Sequence, residues 1–556
     1  MILVEAYRKF LKIAWFLPGF LLYAAFPPMC EKADVLFALA PLMWLSRTAD
    51  AKTSAKRWFQ SGIFFWVATL SWMPAIVKNG GPWPLVLLGW GALSTYCAAF
   101  FAAYGFLSAS YWRWVATARQ GIFARRLLGV LVVEPILWAG LELVRSRFGG
   151  GFAWNSLGVV AANANFGLPA AFGGVYLLSA LIVLVNGTFA GIGERMVASV
   201  RARLGRGAAS LSPWRSLETV LALLLVVGVF AFARTWSAAR ADEGARSVKV
   251  ALVQRNFPCV FKEQEEDPYE VYSNLLANAA FMRADLLVLP ESAMSEFGAV
   301  DSRAALRFAR WAERLADAPS LLAGGTRVAD GAIYNAAALY ALRSDGTMDF
   351  SVYDKVHLVP FGEFIPGDKI FPWLQRLAPV GSCTPGEPRT LTLVADGAAI
   401  PFGVGICFED TDSALMRAHA ASGAKALVFI TNDSWFSRSN EPLAHAWQAT
   451  ARAIETGLPV VRVGNSGVTG TIRPDGRWTY LLDADGRVLV DARGVLFDRV
   501  AISEEEPTPY VRFGDAPLAV AFVLVLGLCV LGTSLNRDGW RGVSCRRKMG
   551  NLQFQF

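Results

Sequence analysis

Four stretches of this chain, Ile13–Cys30, Phe59–Val77, Pro82–Trp112 and Phe166–Ile192, contain no Asp, Glu, Lys or Arg. Each is long enough for a helix that crosses a bilayer, which takes about 20 apolar residues. A first half with so much uninterrupted apolar sequence is built to fold in lipid, where the backbone must satisfy itself within helices. Three weaker runs follow, Val35–Ser46, Leu127–Val144 and Leu217–Ala233, and an eighth, Ala516–Leu535, stands alone near the C-terminus. Val35–Ser46 is short for a span. Pro82–Trp112 is too long for one, and a re-entrant or interfacial piece is expected within it. No A-x-A-like site follows the first run, so it reads as a retained helix rather than a cleaved signal. Composition agrees: 54% of the 556 residues are hydrophobic and 18% charged, against roughly 25% charged in soluble domains.

The formal charge of +8 takes its meaning from where the cations lie. With eight spans and a cytoplasmic N-terminus, three Lys or Arg precede the first span (Arg8 to Lys12) and four lie between Arg47 and Arg57. Four more lie between Arg113 and Arg126, five between Arg195 and Arg215, and five from Arg537 to Lys548. The short loops on the other side hold only Lys32, Lys78, Arg145 and Arg147. Cytoplasmic loops carry such an excess, so both termini are expected inside and the long segment between the last two spans outside. The basic excess is thus a topology signal, and no motif supports nucleic-acid binding. Seven cysteines without regular spacing exclude a disulfide framework and show no metal-ligand pairs; no metal or cofactor is expected. Two acids lie within a span. Glu142 is expected to pair with Arg145 on the same helix face; Glu134 has no partner that the sequence identifies.

From about Arg246 to Tyr510 short β-branched runs alternate with amphipathic stretches, as in an α/β domain. Strands are expected at Val248–Val253, Asp285–Leu289, Gly403–Cys407, Ala426–Thr431 and Val460–Val463. Helices are expected at Tyr269–Arg283, Ser302–Leu315, Ser413–Ser422 and Leu443–Thr456. The chain therefore divides into a membrane unit over 1–245, an extracytoplasmic catalytic-sized unit over 246–510, and an eighth span with a basic tail over 511–556. Three segments each set a reactive residue at or just beyond a strand end: Leu286-Leu-Val-Leu-Pro-Glu-Ser, ending in Glu291; Tyr353-Asp-Lys-Val-His-Leu-Val-Pro-Phe-Gly-Glu, with Lys355 and Glu363; and Gly403-Val-Gly-Ile-Cys-Phe-Glu, with Cys407 and Glu409. Strand carboxyl ends are where sites assemble in open α/β sheets. A cysteine needs a base to become thiolate, and the intermediate it forms needs a cation or amide donors for its oxyanion. Singly, these residues are ordinary: a small core cysteine, a glutamate in a turn, a solvated lysine. In this order, with their surrounding motifs, they read together as base, cation and nucleophile.

These motifs resemble the Glu-Lys-Cys triad of the nitrilase (carbon–nitrogen hydrolase) superfamily. With the spans around them they are similar to its membrane-bound branch, the apolipoprotein N-acyltransferase family. Asn432-Asp-Ser-Trp-Phe, His445, Arg452-Ala-Ile-Glu-Thr-Gly-Leu-Pro and Arg462-Val-Gly-Asn-Ser-Gly carry the resemblance further, so that it covers nearly the whole chain. The resemblance implies an αββα sandwich attached to about eight membrane helices in a bacterial inner membrane, with the catalytic domain periplasmic. It implies Glu291 as general base, Cys407 as nucleophile and Lys355 as oxyanion stabiliser, helped by the backbone N–H of Phe408. Glu363 and Glu409 would hold Lys355 and the site, and Phe408 and Trp435 would line an acyl pocket. The donor would be a membrane phospholipid, whose acyl chain passes to Cys407 as a thioester. The acceptor would be the N-terminal amine of diacylglyceryl-cysteine in an apolipoprotein. Burial and a neighbouring Glu363 would bring Glu291 toward the working pH.

Two departures stand out. The family often has Trp-Pro-Glu where this chain has Leu289-Pro290-Glu291. After Gln254-Arg-Asn-Phe-Pro it commonly has a Gln and a Lys-Trp pair, where this chain has Cys259 and Lys262-Glu263, so a tryptophan of the substrate-admitting arm is missing. Cys259 and Cys383 lie on the oxidising side, where a disulfide is permitted. Competing readings are a membrane-anchored amide hydrolase, which needs one anchor rather than eight spans, and a silent scaffold, which predicts erosion of the triad. A transporter is disfavoured by the few intramembrane charges.

Overall fold

The computed structural model describes residues 15–117, 120–203, 214–239, 246–258, 266–276, 283–315, 319–343, 345–368, 370–376, 382–436, 438–502 and 505–544. Among them, four helices are long and apolar enough to cross a membrane: Trp83–Ala116, Ile122–Arg145, Ala170–Val200 and Leu217–Ala238. Trp83–Ala116 is one unbroken helix of 34 residues, so of the two alternatives for Pro82–Trp112 the re-entrant one is overturned. Pro82 and Pro84 stand at its start, where a missing N–H costs nothing, and no proline interrupts it further on. Phe16–Ala25 and Ala516–Leu531 are shorter apolar helices, and Ala51–Thr69 packs between Phe16–Ala25 and Trp83–Ala116.

The Val35–Ser46 run is not a single helix. A 3₁₀ turn over Lys32–Leu36 gives way to a seven-residue helix, Ala40–Ser46. Asn186 repairs the break from the neighbouring helix. Its Oδ1 accepts from the N–H of Leu39 (2.8 Å) and Ala40 (3.1 Å), and its Nδ2 donates to the Val35 carbonyl (2.8 Å). Irregular backbone at membrane depth persists only where protein satisfies it in this way.

Glu134 also acquires a partner that the sequence conceals. Its Oε2 accepts from Arg47 Nη2 at 3.0 Å and its Oε1 from the Trp112 indole at 2.8 Å. Arg47 and Arg126 both reach Glu194, and Arg126 also reaches Glu218. Five charges thus join four helical segments. Glu142 and Arg145 form no ion pair, contrary to expectation. Each grips the same loop instead: Glu142 Oε1 accepts from Leu157 N (3.0 Å), while Arg145 donates to the carbonyls of Phe152 (2.9 Å) and Trp154 (2.8 Å).

The extramembrane unit is an αββα sandwich. One sheet runs, in spatial order, β12 (Gly494–Ile502), β1 (Arg246–Gln254), β2 (Leu286–Val288), β3 (Ser320–Ala329), β4 (Ala332–Leu342) and β5 (Met348–Asp354). The other runs β11 (Trp478–Tyr480), β10 (Gly470–Ile472), β9 (Val460–Gly464), β8 (Ala426–Thr431), β7 (Ala398–Ile406) and β6 (Thr390–Ala395). Alternation does the packing. On β1, Val248, Val250 and Leu252 face the second sheet, while Ala251 and Val253 face helices Pro268–Leu276 and Arg303–Leu315. On β8, Val428 and Ile430 face inward, while Leu427 and Phe429 meet helices Ser413–Ala421 and Glu441–Thr456.

The five expected strands are all present, although the third ends at Ile406 rather than Cys407. The remaining strands had no expectation; β3, β4 and β5 pair in turn as antiparallel neighbours, and β6 pairs antiparallel with β7. Glu441–Thr456 serves two cores. Ala449 and Ala453 pack on the second sheet, while Ala444, Trp447, Ala451 and Ile454 pack into the membrane bundle.

Glu134→Ala would leave Arg47 and the Trp112 indole buried without that acceptor. Breaking a buried pair costs on the order of 3 kcal/mol, so thermal unfolding of the detergent-solubilised variant should show a clearly lower Tm. An unchanged Tm would mean that Glu194 alone compensates Arg47.

Candidate active site

Each reactive residue sits where a strand stops. β2 ends at Val288, and the chain turns through Leu289 and Pro290 to Glu291. Gly324 on β3 makes this turn possible, since a Cβ there would lie 2.6 Å from the Glu291 Cα. β5 ends at Asp354, next to Lys355. β7 ends at Ile406, and Cys407 opens a tight 3₁₀ turn over Cys407–Thr411. Cys407 has φ +54° and Ser292, after the base, has φ +60°. Left-handed backbone at a non-glycine residue costs of order 1–3 kcal/mol and persists only where the surroundings hold it.

The structure brings Glu291, Lys355, Cys407, Glu363 and Glu409 together. Lys355, only 1% exposed, lies with Nζ 2.9 Å from Glu363 Oε1 and 3.9 Å from Glu291 Oε1. Asn335 on β4, which carried no sequence signal, bridges the two acids: its Nδ2 donates to Glu291 at 2.8 Å and to Glu363 at 2.6 Å. Glu363 Oε2 also accepts from Val359 N at 2.7 Å, which ties the Pro-Phe-Gly-Glu turn to its own beginning. Glu409 is fully buried and works as an organiser. Its Oε1 accepts from the N–H of Val356 (2.7 Å) and His357 (3.0 Å), its Oε2 from Ile406 N (2.8 Å), and both from the Tyr353 hydroxyl (3.1 Å each). One carboxylate therefore fixes the lysine loop against the nucleophile turn. Tyr353 lies in the lysine motif, but its role is visible only here.

The electrostatics follow from burial. Burial pushes the Cys407 thiol well above its ordinary range, the Glu291 carboxylate pushes it further, and Lys355 works against both. The resting residue is a thiol that needs a base. Glu291 is itself raised, first by burial and also by Glu363, against Lys355 and the Asn335 hydrogen bond; this is the direction expected from the motif. Burial disfavours the Lys355 ammonium, but Glu363, Cys407, Glu291 and Glu409 outweigh it and raise its pKa. Glu409 is raised to about 7 by burial, with Lys355 and the amide donors opposing. A raised base beside a protonated thiol, with a permanent cation between acids, suits proton abstraction coupled to attack on a carbonyl.

The remaining predicted residues join the site to the membrane half. Phe408 is half-buried and stacks on Trp154 (6.3 Å, 8°) and Phe152 (6.0 Å, 14°). Trp435 is half-buried, and its carbonyl accepts from Asn79 Nδ2 at 2.7 Å. Cys383 is half-buried, its N–H donating to the Glu363 carbonyl (2.8 Å); Cys259, Lys262 and Glu263 lie outside the described residues. Among the described residues one group has metal-ligand spacing: donor atoms of Asp433, Glu441 and His445 lie within 4.8 Å of one another. The Arg462 guanidinium already supplies a cation there, 3.4 Å from Asp433 and 3.6 Å from Asp410.

One contact makes the site pH-sensitive. His357 on the lysine loop pairs with Asp412, which caps helix Ser413–Ala421 after the nucleophile turn. The Asp412 hydrogen bond raises His357 above its ordinary 6.5. Asp412 is lowered below its ordinary 3.8, because the His357 hydrogen bond and charge outweigh burial. The histidine's contribution is complete below about pH 6.5 and is lost as pH rises through its raised value; the aspartate's is complete above 3.8 and fades as pH falls through its lowered value. The Tm difference between wild type and His357→Ala should therefore be greatest between about pH 4 and 6.5 and shrink by pH 9. A difference that grew toward pH 9 would contradict this pairing.

Residues 18–188 match the family model described as "Apolipoprotein N-acyltransferase N-terminal domain", and residues 249–496 match that described as "Carbon-nitrogen hydrolase". The apolipoprotein N-acyltransferase of Geobacter metallireducens is 31% identical over 535 residues, covering 93% of each chain. Those of Vibrio vulnificus and Gloeobacter violaceus are 26% and 29% identical, covering 92% and 94% of this chain and 94% of each relative. With both halves of the chain matched in order and the nitrilase-like sandwich in place, the chain belongs to the apolipoprotein N-acyltransferase family.

Proposed function

We propose that this protein transfers an acyl chain from a membrane phospholipid, through a Cys407 thioester, to the α-amine of diacylglyceryl-cysteine at an apolipoprotein N-terminus. Glu291 takes the thiol proton as Cys407 attacks the ester carbonyl. Lys355 and the Phe408 N–H stabilise the oxyanion, and lysophospholipid leaves once the alkoxide has taken the proton back from Glu291. In the second half Glu291 accepts the amine proton, the tetrahedral adduct collapses, and the thiol is regenerated. The reaction is ping-pong, and one base serves both halves. Glu363 and Glu409 hold Lys355 and the two loops, while Phe408 and Trp435 line the acyl pocket.

The observation that carries this reading is the stack of Phe408 on Phe152 and Trp154. The residue after the nucleophile packs on a loop of the membrane half, where a lipid substrate would arrive. Eight crossings with both termini cytoplasmic and the catalytic unit periplasmic, in a bacterial inner membrane, accord with the charge asymmetry of the loops. They accord also with the Asn186 repair that lets Val35–Ser46 cross as a broken helix. The division is 1–245 for the first seven spans, 246–510 for the catalytic unit and 511–556 for the eighth span and basic tail.

Intact-mass spectrometry after incubation with phospholipid should show one added acyl mass on the wild type, removed by hydroxylamine and discharged by a diacylglyceryl peptide, and none on Cys407→Ala. Turnover should fall about a thousandfold or more in Cys407→Ala. Residual acylation in that variant would end the covalent mechanism, and turnover of small amides without a lipid adduct would favour an amide hydrolase. Lys355→Arg should fail as well, because a planar guanidinium does not replace a compact ammonium among three acids. Near-normal turnover would remove Lys355 from the oxyanion role.

A further inference from the structure

Behind the nucleophile turn lies a second group of charges that the reaction as written does not use. His445, on helix Glu441–Thr456, is 2% exposed, and Asp410, Asp433, Glu441 and Arg462 are no more exposed than that. His445 Nε2 lies 3.1 Å from Asp410 Oδ1, and its Nδ1 lies 2.9 Å from Asp433 Oδ1 and 3.4 Å from Glu441 Oε1. Arg462, from β9, approaches the other oxygen of both aspartates. Thr431 donates to Asp433 at 2.8 Å. From the membrane half, the Trp154 ring lies 5.4 Å from the imidazole.

A neutral imidazole has one donor and one acceptor nitrogen, whereas an ionised carboxylate only accepts. Nδ1 is hydrogen-bonded to Asp433 and Nε2 lies 3.1 Å from an Asp410 oxygen as a charge contact without hydrogen-bond geometry, so an imidazolium between two carboxylates suits the arrangement better than a neutral ring. An aromatic face beside it favours the same charged form. The His445 and Arg462 cations then balance Asp410 and Asp433, and burial together with Asp433 drives Glu441 toward its neutral acid. The two aspartates are not remote from the chemistry. Asp410 belongs to the turn that Cys407 opens, and Asp433 begins the turn that carries Trp435. Asp433 also bears on both the Cys407 thiol and the Glu291 carboxyl.

We infer that His445 is a positioning residue of the transfer reaction: a buried imidazolium that clamps the nucleophile turn to the Trp435 turn and cancels the aspartate charge behind Cys407. Without it, an uncompensated anion would face the developing thiolate. The inference rests on Cys407 being the nucleophile. A purely packing role predicts lower stability with unaltered thiol chemistry, whereas a charge-cancelling role predicts a displaced pH profile.

The test is the pH dependence of Cys407 alkylation by iodoacetamide in the full-length protein in detergent, read on the Cys407 peptide by mass spectrometry so that Cys30 and Cys383 do not contribute. In His445→Gln the profile should move to higher pH, with about tenfold slower alkylation at a fixed pH below the midpoint, as one unscreened charge nearby would produce. Asp433→Asn, which leaves the imidazolium in place, should move it to lower pH, and the double variant should return it toward wild type. Acyl-transfer kcat should follow the same order, with the KM for phospholipid changed less than twofold. An unmoved profile in folded His445→Gln would overturn the inference. Should that variant not fold, an unmoved profile in Asp433→Asn would do so, as would one metal ion per wild-type chain by elemental analysis. Because alkylation reads the thiol directly, transfer that persisted in Cys407→Ala would refute the nucleophile assignment without altering this outcome.

Discussion

Helix Glu441–Thr456 is buried on every side, and a helix with that much polar sequence must find partners in each neighbour it meets. Toward the membrane bundle, Glu455 accepts the Val175 N–H at 2.7 Å, where the helix beginning at Ala170 breaks at Gly173 and Gly174. The glycine is required there, because Gly174 has φ +67° and a Cβ would lie 2.6 Å from the Tyr510 ring. Arg452 holds Glu455 with two hydrogen bonds and also donates to the carbonyls of Asp410 and Thr411, next to the nucleophile. Thr450 accepts from Trp478 and donates to Asn163 of the membrane half. One element therefore transmits the position of the bundle to the turn that presents Cys407.

The same economy of buried polar groups governs the site itself. Lys355 and Glu291 are buried side by side with Glu363 at hand, so the protonation of the base and of the ammonium depends on neighbouring charges rather than on bulk water. Asn335 holds the two carboxylates close together by donating to both, which brackets the cation; its hydrogen bond lowers the base, and burial with Glu363 outweighs it. Glu409 helps to raise Lys355 and, more directly, ties two loops together. With amide donors from two loops and a tyrosine hydroxyl it is a fixed hub, and it explains how a loop from one sheet and a turn from the other meet at constant separation.

The aromatic residues at the seam supply what hydrogen bonds do not. Trp72, Trp154, Phe152, Phe408 and Phe436 form a continuous set of ring contacts from the first membrane loops to the nucleophile turn. Flat rings bury large apolar area and have few rotamers to lose. They suit a junction that must stay rigid while bordering lipid.

Much of this was legible along the chain. Two uncharged runs, Pro82–Trp112 and Phe166–Ile192, marked long apolar helices, because lipid excludes charge over a fixed thickness, whereas among the described residues Ile13–Cys30 holds only the shorter helix Phe16–Ala25. Short continuous apolar runs marked β1, β2, β7, β8 and β9, because a strand buried on both faces needs apolar residues on each. Three motifs marked Glu291, Lys355 and Cys407, because strand ends leave side chains free for chemistry. What the sequence did not contain was the identity of partners. Asn335 carries no local pattern that distinguishes it from a surface asparagine, and the hydrogen bond from Asn79 to Trp435 spans 356 residues. Glu134 found Arg47, while Glu142 and Arg145, adjacent on one helix face, bound the loop instead of each other. Periodicity and strand ends are set by forces acting over a few residues, so they are written in local sequence. Burial, charge pairing and capping across the seam depend on which segments collapse together, and that was decided only when both cores closed around helix Glu441–Thr456.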